Sequence, residues 1–445
     1  VSLMRLKVSS ALLAAFLIAG SLPVFGQTPV GIVGQAQFQA SQAAIQSGTA
    51  ENAKTRAASV AQAARAFEPV KIPVGNKDWT SLGLSLKKAV REGDHLVQTL
   101  KDGSKVTFTV DPDVQASLEK MLDDYSVPHS GVVLIEPSTG KVKAFVSHTE
   151  GKPVVEDLAR KSLAPSASVF KIITAAALLE TVGIDPEKDT CYHGGKSGLS
   201  QQNIKGDPKR DHKCATLGAA LTWSINSIIA KLTYKHLKKQ DLEVWAERFG
   251  YNSEIPFEFP VEVSTAEFVD DPFERARSAA GFYHTYLSPL HGALIGATLA
   301  NDGVMMQPSI VEKLENASGE TVIKFTPHVF KRVMKKETAR KLSEMMKQTT
   351  TVGTARKYFR QRNAFPRDIV VAGKTGTLSN YNPYLGFTWF VGFADRDGQK
   401  IAVSGLVCNT PTWRIKGPFA ASEAVRQYFS SRPAESDEKV AALVP

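Results

Sequence analysis

Along this chain the spacing of apolar positions switches between the periods of helices and of strands. Residues 165–183 read PSASVFKIITAAALLETVG, and from Val169 to Val182 almost every position is apolar or Ala. A helix without a polar face is buried, and this one is too short to cross a bilayer. Pro165 and Ser166 suit its entry and Gly183 its exit. A second largely buried helix is predicted over 287–303, ending at Gly303, and an amphipathic one over 335–350.

Strand-like segments stand on either side of these helices. HLVQTLKDGSKVTFTV (95–110) reads as two strands around Asp102-Gly103, and SGVVLIEPSTGKVKAFVSH (130–148) as a hairpin around Pro137 to Gly140. Between them DPDVQASLEKMLDDY (111–125) has the period of an amphipathic helix. Residues 184–285 are mainly helical, with a loop-rich stretch from Asp185 to Asp211. Strands return over 367–378 and 386–408, the second turning at Asp397-Gly398, and a covering helix follows within 418–431. The pattern is that of a mixed α/β (α+β) chain without internal repeats.

The amino-terminal pattern adds a compartment. Met4, Arg5 and Lys7 precede an apolar run from Val8 to Gly20, and Val24-Phe25-Gly26 offers a cleavage site. Residues 1–26 therefore read as a cleaved signal peptide in preference to a membrane anchor, and the protein as exported. Residues 27–75, rich in Ala and Gln, read as a linker and 76–104 as a short amino-terminal module. Of the 445 residues, 43% are hydrophobic and 22% charged, an ordinary globular balance that excludes global disorder. The formal charge of +10 comes without a basic cluster interleaved with aromatics, so it implies no nucleic-acid partner and only a modest attraction to anionic polymers or a membrane surface.

One residue breaks the apolar helix. Lys171 follows Ser168 by three positions, so the two side chains share a face. A buried lysine at the positive end of a helix loses its proton readily, and a neutral amine beside a hydroxyl is a general base beside a nucleophile. Taken alone, the pair reads more simply as a capping serine and a snorkelling lysine. Two more motifs follow in order, Ser224-Ile225-Asn226 and Lys374-Thr375-Gly376-Thr377. Acyl transfer by a serine needs a base, a proton donor for the leaving amine, an anchor for substrate charge and donors for the oxyanion. Lys171, Ser224 and Lys374 with Thr375 and Thr377 can fill the first three roles, Asn226 can hold a substrate amide, and Gly376 permits close approach of the strand.

The three motifs in this order resemble those of the penicillin-binding protein transpeptidases and related beta-lactamases. VTFTVDPDVQASLEKML, SGVVLIEPSTGKVKAFVS, YLSPLHGALIGATLANDGVMMQPSIV, VGTARKY and VAGKTGTL followed by FTWFVGFAD extend the resemblance over residues 105–432, leaving 433–445 as a tail. It implies a penicillin-binding transpeptidase fold, an antiparallel sheet flanked by helices with a helical subdomain, in a monofunctional, class B-like enzyme. The implied reaction is peptidoglycan D,D-transpeptidation. Ser168 attacks a stem peptide ending in D-Ala-D-Ala, releases D-Ala and passes the acyl group to a second stem peptide. The backbone N–H groups of Ser168 and Thr377 would form the oxyanion hole. Beta-lactam antibiotics are implied as covalent ligands, and a glycosyltransferase in a cell-wall synthesis complex as partner. The implied location is the periplasm or extracytoplasmic membrane face, with no cofactor and no metal. About 80 residues between signal and transpeptidase region are too few for a glycosyltransferase domain of their own.

Ser166-Ala167 stands where the family commonly has Pro-Gly, and His291 where Gln is more usual. A D,D-carboxypeptidase or a class D-like beta-lactamase would share Ser168 and Lys171, but Asn226 stands where class D enzymes carry Val. A penicilloyl sensor or scaffold would need no intact catalytic set. Lys196-Ser197-Gly198 also matches the third motif but lies in a Gly-rich loop and reads as chance. Cys191 and Cys214 read as a disulfide in an exported protein, worth about 3 kcal/mol in loop entropy. The mirrored Cys191-x-His193 and His212-x-Cys214 keep a zinc site as the alternative, and Cys408 reads as a buried free thiol.

Overall fold

The computed structural model describes residues 79–151, 157–195, 198–360, 365–430 and 432. The expected signal and linker, the tail from 433, and Lys196 and Ser197 lie outside the described residues. The described chain begins with β1 (Val90–Glu92), β2 (His95–Thr99), β3 (Lys105–Phe108), α1 (Pro112–Asp124), β4 (His129–Ile135) and β5 (Val142–Thr149). A largely helical middle holds β6 (Ala164–Pro165), α2 (Lys171–Ala177), β7 (Thr190–Tyr192), α3 (Gln201–Lys205), β8 (Lys213–Ala215), α4 (Leu217–Thr222), α5 (Asn226–His236), α6 (Lys239–Phe249), α7 (Pro272–Ala279) and β9 (Tyr286–Leu287). Next come α8 (Pro289–Ala300), β10 (Val304–Met306), β11 (Val311–Glu315), β12 (Thr321–Lys324), β13 (Val329–Arg332), α9 (Lys336–Thr351) and α10 (Arg356–Phe359). The last elements are β14 (Val370–Tyr381), β15 (Tyr384–Arg396), β16 (Gln399–Asn409) and α11 (Gly417–Ser430).

Strands from both ends of the chain meet in one antiparallel sheet of order β14-β15-β16-β4-β5. Successive side chains of a strand point to opposite faces, and here both faces are covered. Val133 and Ile135 join a core with Val391, Leu406 and the α8 residues Leu290 and Leu294. Val132 and Leu134 join a second core with Phe390, Val403 and the residues of α1 and α11. Every residue of α8 is buried, His291 and Thr298 included, where its pattern predicted a largely buried helix. The helix stops at Ala300, short of Gly303, because Asp302 and Gly303 turn through positive φ. The mixed architecture of antiparallel sheets flanked by helices is the one the resemblance implied.

A second sheet, β1-β2-β3-β11-β12, pairs residues 90–108 with residues 311–324. Its β2–β3 hairpin crosses the boundary expected between residues 104 and 105. The central apolar stretch is helical but not uniform: a 3₁₀ turn over Ala167–Phe170, then α2, then a π turn over Leu178–Val182 that Gly183 ends at φ +69°. Its 3₁₀ opening matters to the chemistry, because side chains three apart eclipse in that geometry.

Candidate active site

Ser168 and Lys171 are such a pair, the first in the 3₁₀ turn and the second at the start of α2. Lys171 Nζ lies 2.5 Å from Ser168 Oγ, and it donates to Asn226 Oδ1 at 2.7 Å and to Ser224 Oγ at 3.4 Å. Ser224 occupies the corner between α4 and α5 at φ +58°, and Asn226 opens α5. From the opposite side Lys374, on edge strand β14, donates to Ser224 Oγ at 2.9 Å and to its neighbour Thr375 O at 3.0 Å. Two lysines thus meet on one serine hydroxyl, although their motifs lie some two hundred residues apart in the chain.

Both ammonium groups are fully buried and neither has a carboxylate partner among the described residues. Burial, and then the neighbouring charge of Lys374, hold Lys171 well below the usual lysine range. Burial alone brings Lys374 down to about 7. Charge without a counter-ion is costly in a low dielectric, so Lys171 holds its proton far less tightly than an exposed lysine does. Thr375 and Thr377 share one face of β14 by the strand period, half-buried and exposed respectively. A Cβ on Gly376 would stand 3.3 Å from both Ala167 Cβ and Ser166 O, so the strand closely approaches the turn that carries Ser168.

Around this turn Gly281, Tyr251 and Trp389 carried no signal in the sequence, whereas Ser166-Ala167 and His291 stood out as departures from the family pattern. Ala167 adopts φ +49°, a left-handed conformation that costs a residue with a Cβ about 1–2 kcal/mol. Gly281 packs on it, and a Cβ there would lie 2.1 Å from Ala167 O and 2.9 Å from Ser168 N. Ser166 does not cap the helix; its hydroxyl lies 3.1 Å from Tyr251 OH, and its N–H donates to Thr285 O at 2.8 Å. Trp389 Nε1 donates to Pro165 O at 2.9 Å. His291 packs on the Tyr251 ring at 4.8 Å and bonds Phe249 O through Nε2 at 2.7 Å, and burial brings it down to about 4.

The cysteines form a different kind of site. Cys191 on β7 and Cys214 on β8 are joined as a disulfide, which leaves no thiolate for zinc. His193 faces Asp211 at 2.6 Å, His212 is exposed, and no group of metal-binding side chains occurs among the described residues. Lys231 on α5 donates to Asp211 Oδ2 at 2.6 Å and to Cys191 O at 2.7 Å. Burial alone would push Asp211 up, but hydrogen bonds from Lys231, His193 and the Asp207 N–H outweigh it and bring the carboxyl down to about 2.

A serine hydroxyl against a buried lysine whose proton is loosely held, with a second serine and lysine within proton-transfer range, can carry out acyl transfer through a covalent serine ester. Residues 130–428 match the penicillin binding protein transpeptidase domain. The chain belongs to that family. The peptidoglycan D,D-transpeptidase PbpA of Mycolicibacterium smegmatis is 28% identical over 343 residues, which span 68% of this chain and 67% of that protein. PbpA of Mycobacterium tuberculosis is 29% identical over 345 residues, 69% and 68% of the two chains. Among solved structures, the D,D-transpeptidase domain of a peptidoglycan glycosyltransferase from Eggerthella lenta superposes with a TM-score of 0.63 at 25% identity, covering 75% of this chain and 85% of that one. The penicillin G acyl-enzyme complex of M. tuberculosis penicillin-binding protein A shares the fold with a TM-score of 0.60 at 24% identity, over 73% and 80%.

Proposed function

We propose that this chain is a peptidoglycan D,D-transpeptidase in which Ser168 is the nucleophile. The observation that carries the reading is Lys171 Nζ, buried without a carboxylate partner among the described residues and 2.5 Å from Ser168 Oγ. Lys171 takes the Ser168 proton as Oγ attacks the carbonyl between the two D-alanines of a stem peptide. The N–H groups of Ser168 and Thr377 receive the oxyanion, and Lys374 with Thr375 and Thr377 holds the terminal carboxylate. Ser224, bonded to both lysines, passes the proton to the departing D-Ala amine. Asn226 fixes Lys171 and receives the peptide amide. An amine of a second stem peptide then attacks the ester and forms the cross-link. Beta-lactams acylate the same serine.

The setting follows from the same reading. The enzyme works on the extracytoplasmic side, beside a glycosyltransferase that supplies glycan strands. The Cys191–Cys214 disulfide supports an oxidising compartment. The test is incubation of the protein with a stem pentapeptide ending in D-Ala-D-Ala and an acceptor amine, followed by mass spectrometry. The expected result is free D-Ala together with a new amide to the acceptor. Release of D-Ala with only hydrolysed tetrapeptide would make the chain a carboxypeptidase, and no release would make it a scaffold.

A further inference from the structure

The segment Val352-Gly353-Thr354 follows α9 and has no part in the chemistry described so far. Thr354 touches both walls of the cleft. Its N–H donates to Thr222 O at 3.2 Å, two residues before Ser224, and its exposed hydroxyl lies 2.7 Å from Thr375 Oγ1. The placement is built in. Thr350 Oγ1 donates to Val371 O at 2.6 Å, pinning the end of α9 to β14. Gly353 lies so close to Thr222 that a Cβ would stand 2.4 Å from its carbonyl oxygen, so a side chain there would push the segment off the α4 wall.

A threonine hydroxyl has one proton to give. If Thr375 donates to Thr354, nothing remains for a substrate carboxylate; if Thr354 donates to Thr375, the Thr375 proton is free and its oxygen is polarised. We propose that Thr354 is a positioning residue for substrate recognition: its hydroxyl donates to Thr375 Oγ1 and turns the Thr375 O–H toward the carboxylate of a stem peptide or penicillin. This rests on the transpeptidase reading of the cleft. The Thr354 hydroxyl acts on carboxylate-bearing ligands alone, through Thr375, and leaves Ser168 and Lys171 untouched.

The test compares second-order acylation rates with benzylpenicillin and with its methyl ester, which keeps the reactive amide and lacks the carboxylate. Thr354→Val is expected to lose about tenfold with benzylpenicillin, the scale of one hydrogen bond serving a charged group, and less than about twofold with the ester. Thr354→Ser is expected to recover the wild-type rate, and Thr354→Val placed on Thr375→Val to cost nothing more. An equal loss on both probes, an unchanged rate with benzylpenicillin, or failure of Thr354→Ser to recover would overturn the proposal. Absence of any wild-type adduct, or labelling of Ser168→Ala, would instead overturn the transpeptidase reading, so the two failures are distinct.

Discussion

Two lysines on neighbouring helices, one half-buried and one fully buried, meet opposite fates. Lys231, on α5, ends on Asp211, with side-chain exposures of 16% and 9%. Lys171, at the start of α2, is fully buried and, among the described residues, its amine bonds two hydroxyls and an amide. Protein interiors pair their charges or neutralise them. The disulfide loop takes the first course and the cleft the second. A paired lysine is a structural strut, whereas an unpaired one is a base held ready at a cost in stability. Perturbed groups of that kind mark functional sites.

The sharpest way to break the comparison is to remove each ammonium in turn. Lys171→Met is expected to slow acylation by about 10² to 10⁴, the range for a lost general base, without lowering the melting temperature. Lys231→Met is expected to do the reverse. It leaves Asp211 with His193 and the Asp207 N–H but without its lysine, and costs about 2 kcal/mol, less than the about 3–5 kcal/mol of a fully buried pair because Lys231 keeps some water contact. Denaturant titration of both variants beside their acylation rates decides the matter.

The pH dependence sharpens it further. Burial places Lys374 near 7, so in the free enzyme its charge is lost as the pH rises through that value. Acylation by benzylpenicillin is expected to decline over the same interval, and acylation by its methyl ester to hold, in rates that report free-enzyme ionisations. His291 offers a smaller effect. Its folded value of about 4 lies below the ordinary 6.5, so the unfolded chain binds the proton first. Its contribution to stability is complete above pH 6.5 and is lost as the pH falls toward 4. His291→Gln is expected to flatten that part of the melting curve against pH. Smallest of all, Ala167→Gly relieves a residue at φ +49° and is expected to add up to about 1 kcal/mol, reduced by the extra freedom of glycine in the unfolded chain. A lower melting temperature for that variant would mean that Ala167 makes contacts worth more than its strain.

The elements legible in the sequence were those with long, consistent periods. The apolar runs at 169–182 and 287–300 and the hairpins at 95–110 and 130–148 stand in the fold because local pattern and tertiary burial agree there. The sheet joining β3 to β11 was not legible, because four- and five-residue strands some two hundred positions apart share no local signal. Nor was the 3₁₀ opening of the nucleophile helix, since a period of 3.6 does not distinguish the two helix types over one turn. Within the cleft the three motifs named candidate side chains, and the geometry brings Ser168, Lys171, Ser224, Asn226 and Lys374 together. Gly281 and Thr354 stayed hidden because their roles lie in the space a Cβ would fill and in one hydroxyl contact, and Ala167 stood out as a departure from the family pattern without showing its positive φ.

The central claim is that Ser168 is acylated with the help of a neutral Lys171. Intact-protein mass spectrometry over time after mixing with benzylpenicillin tests it most directly, with wild type, Ser168→Ala and Lys171→Met side by side. The account predicts one adduct that forms quickly on the wild type and persists, none on Ser168→Ala, and slow formation on Lys171→Met. An adduct on Ser168→Ala, or wild-type speed in Lys171→Met, would contradict it.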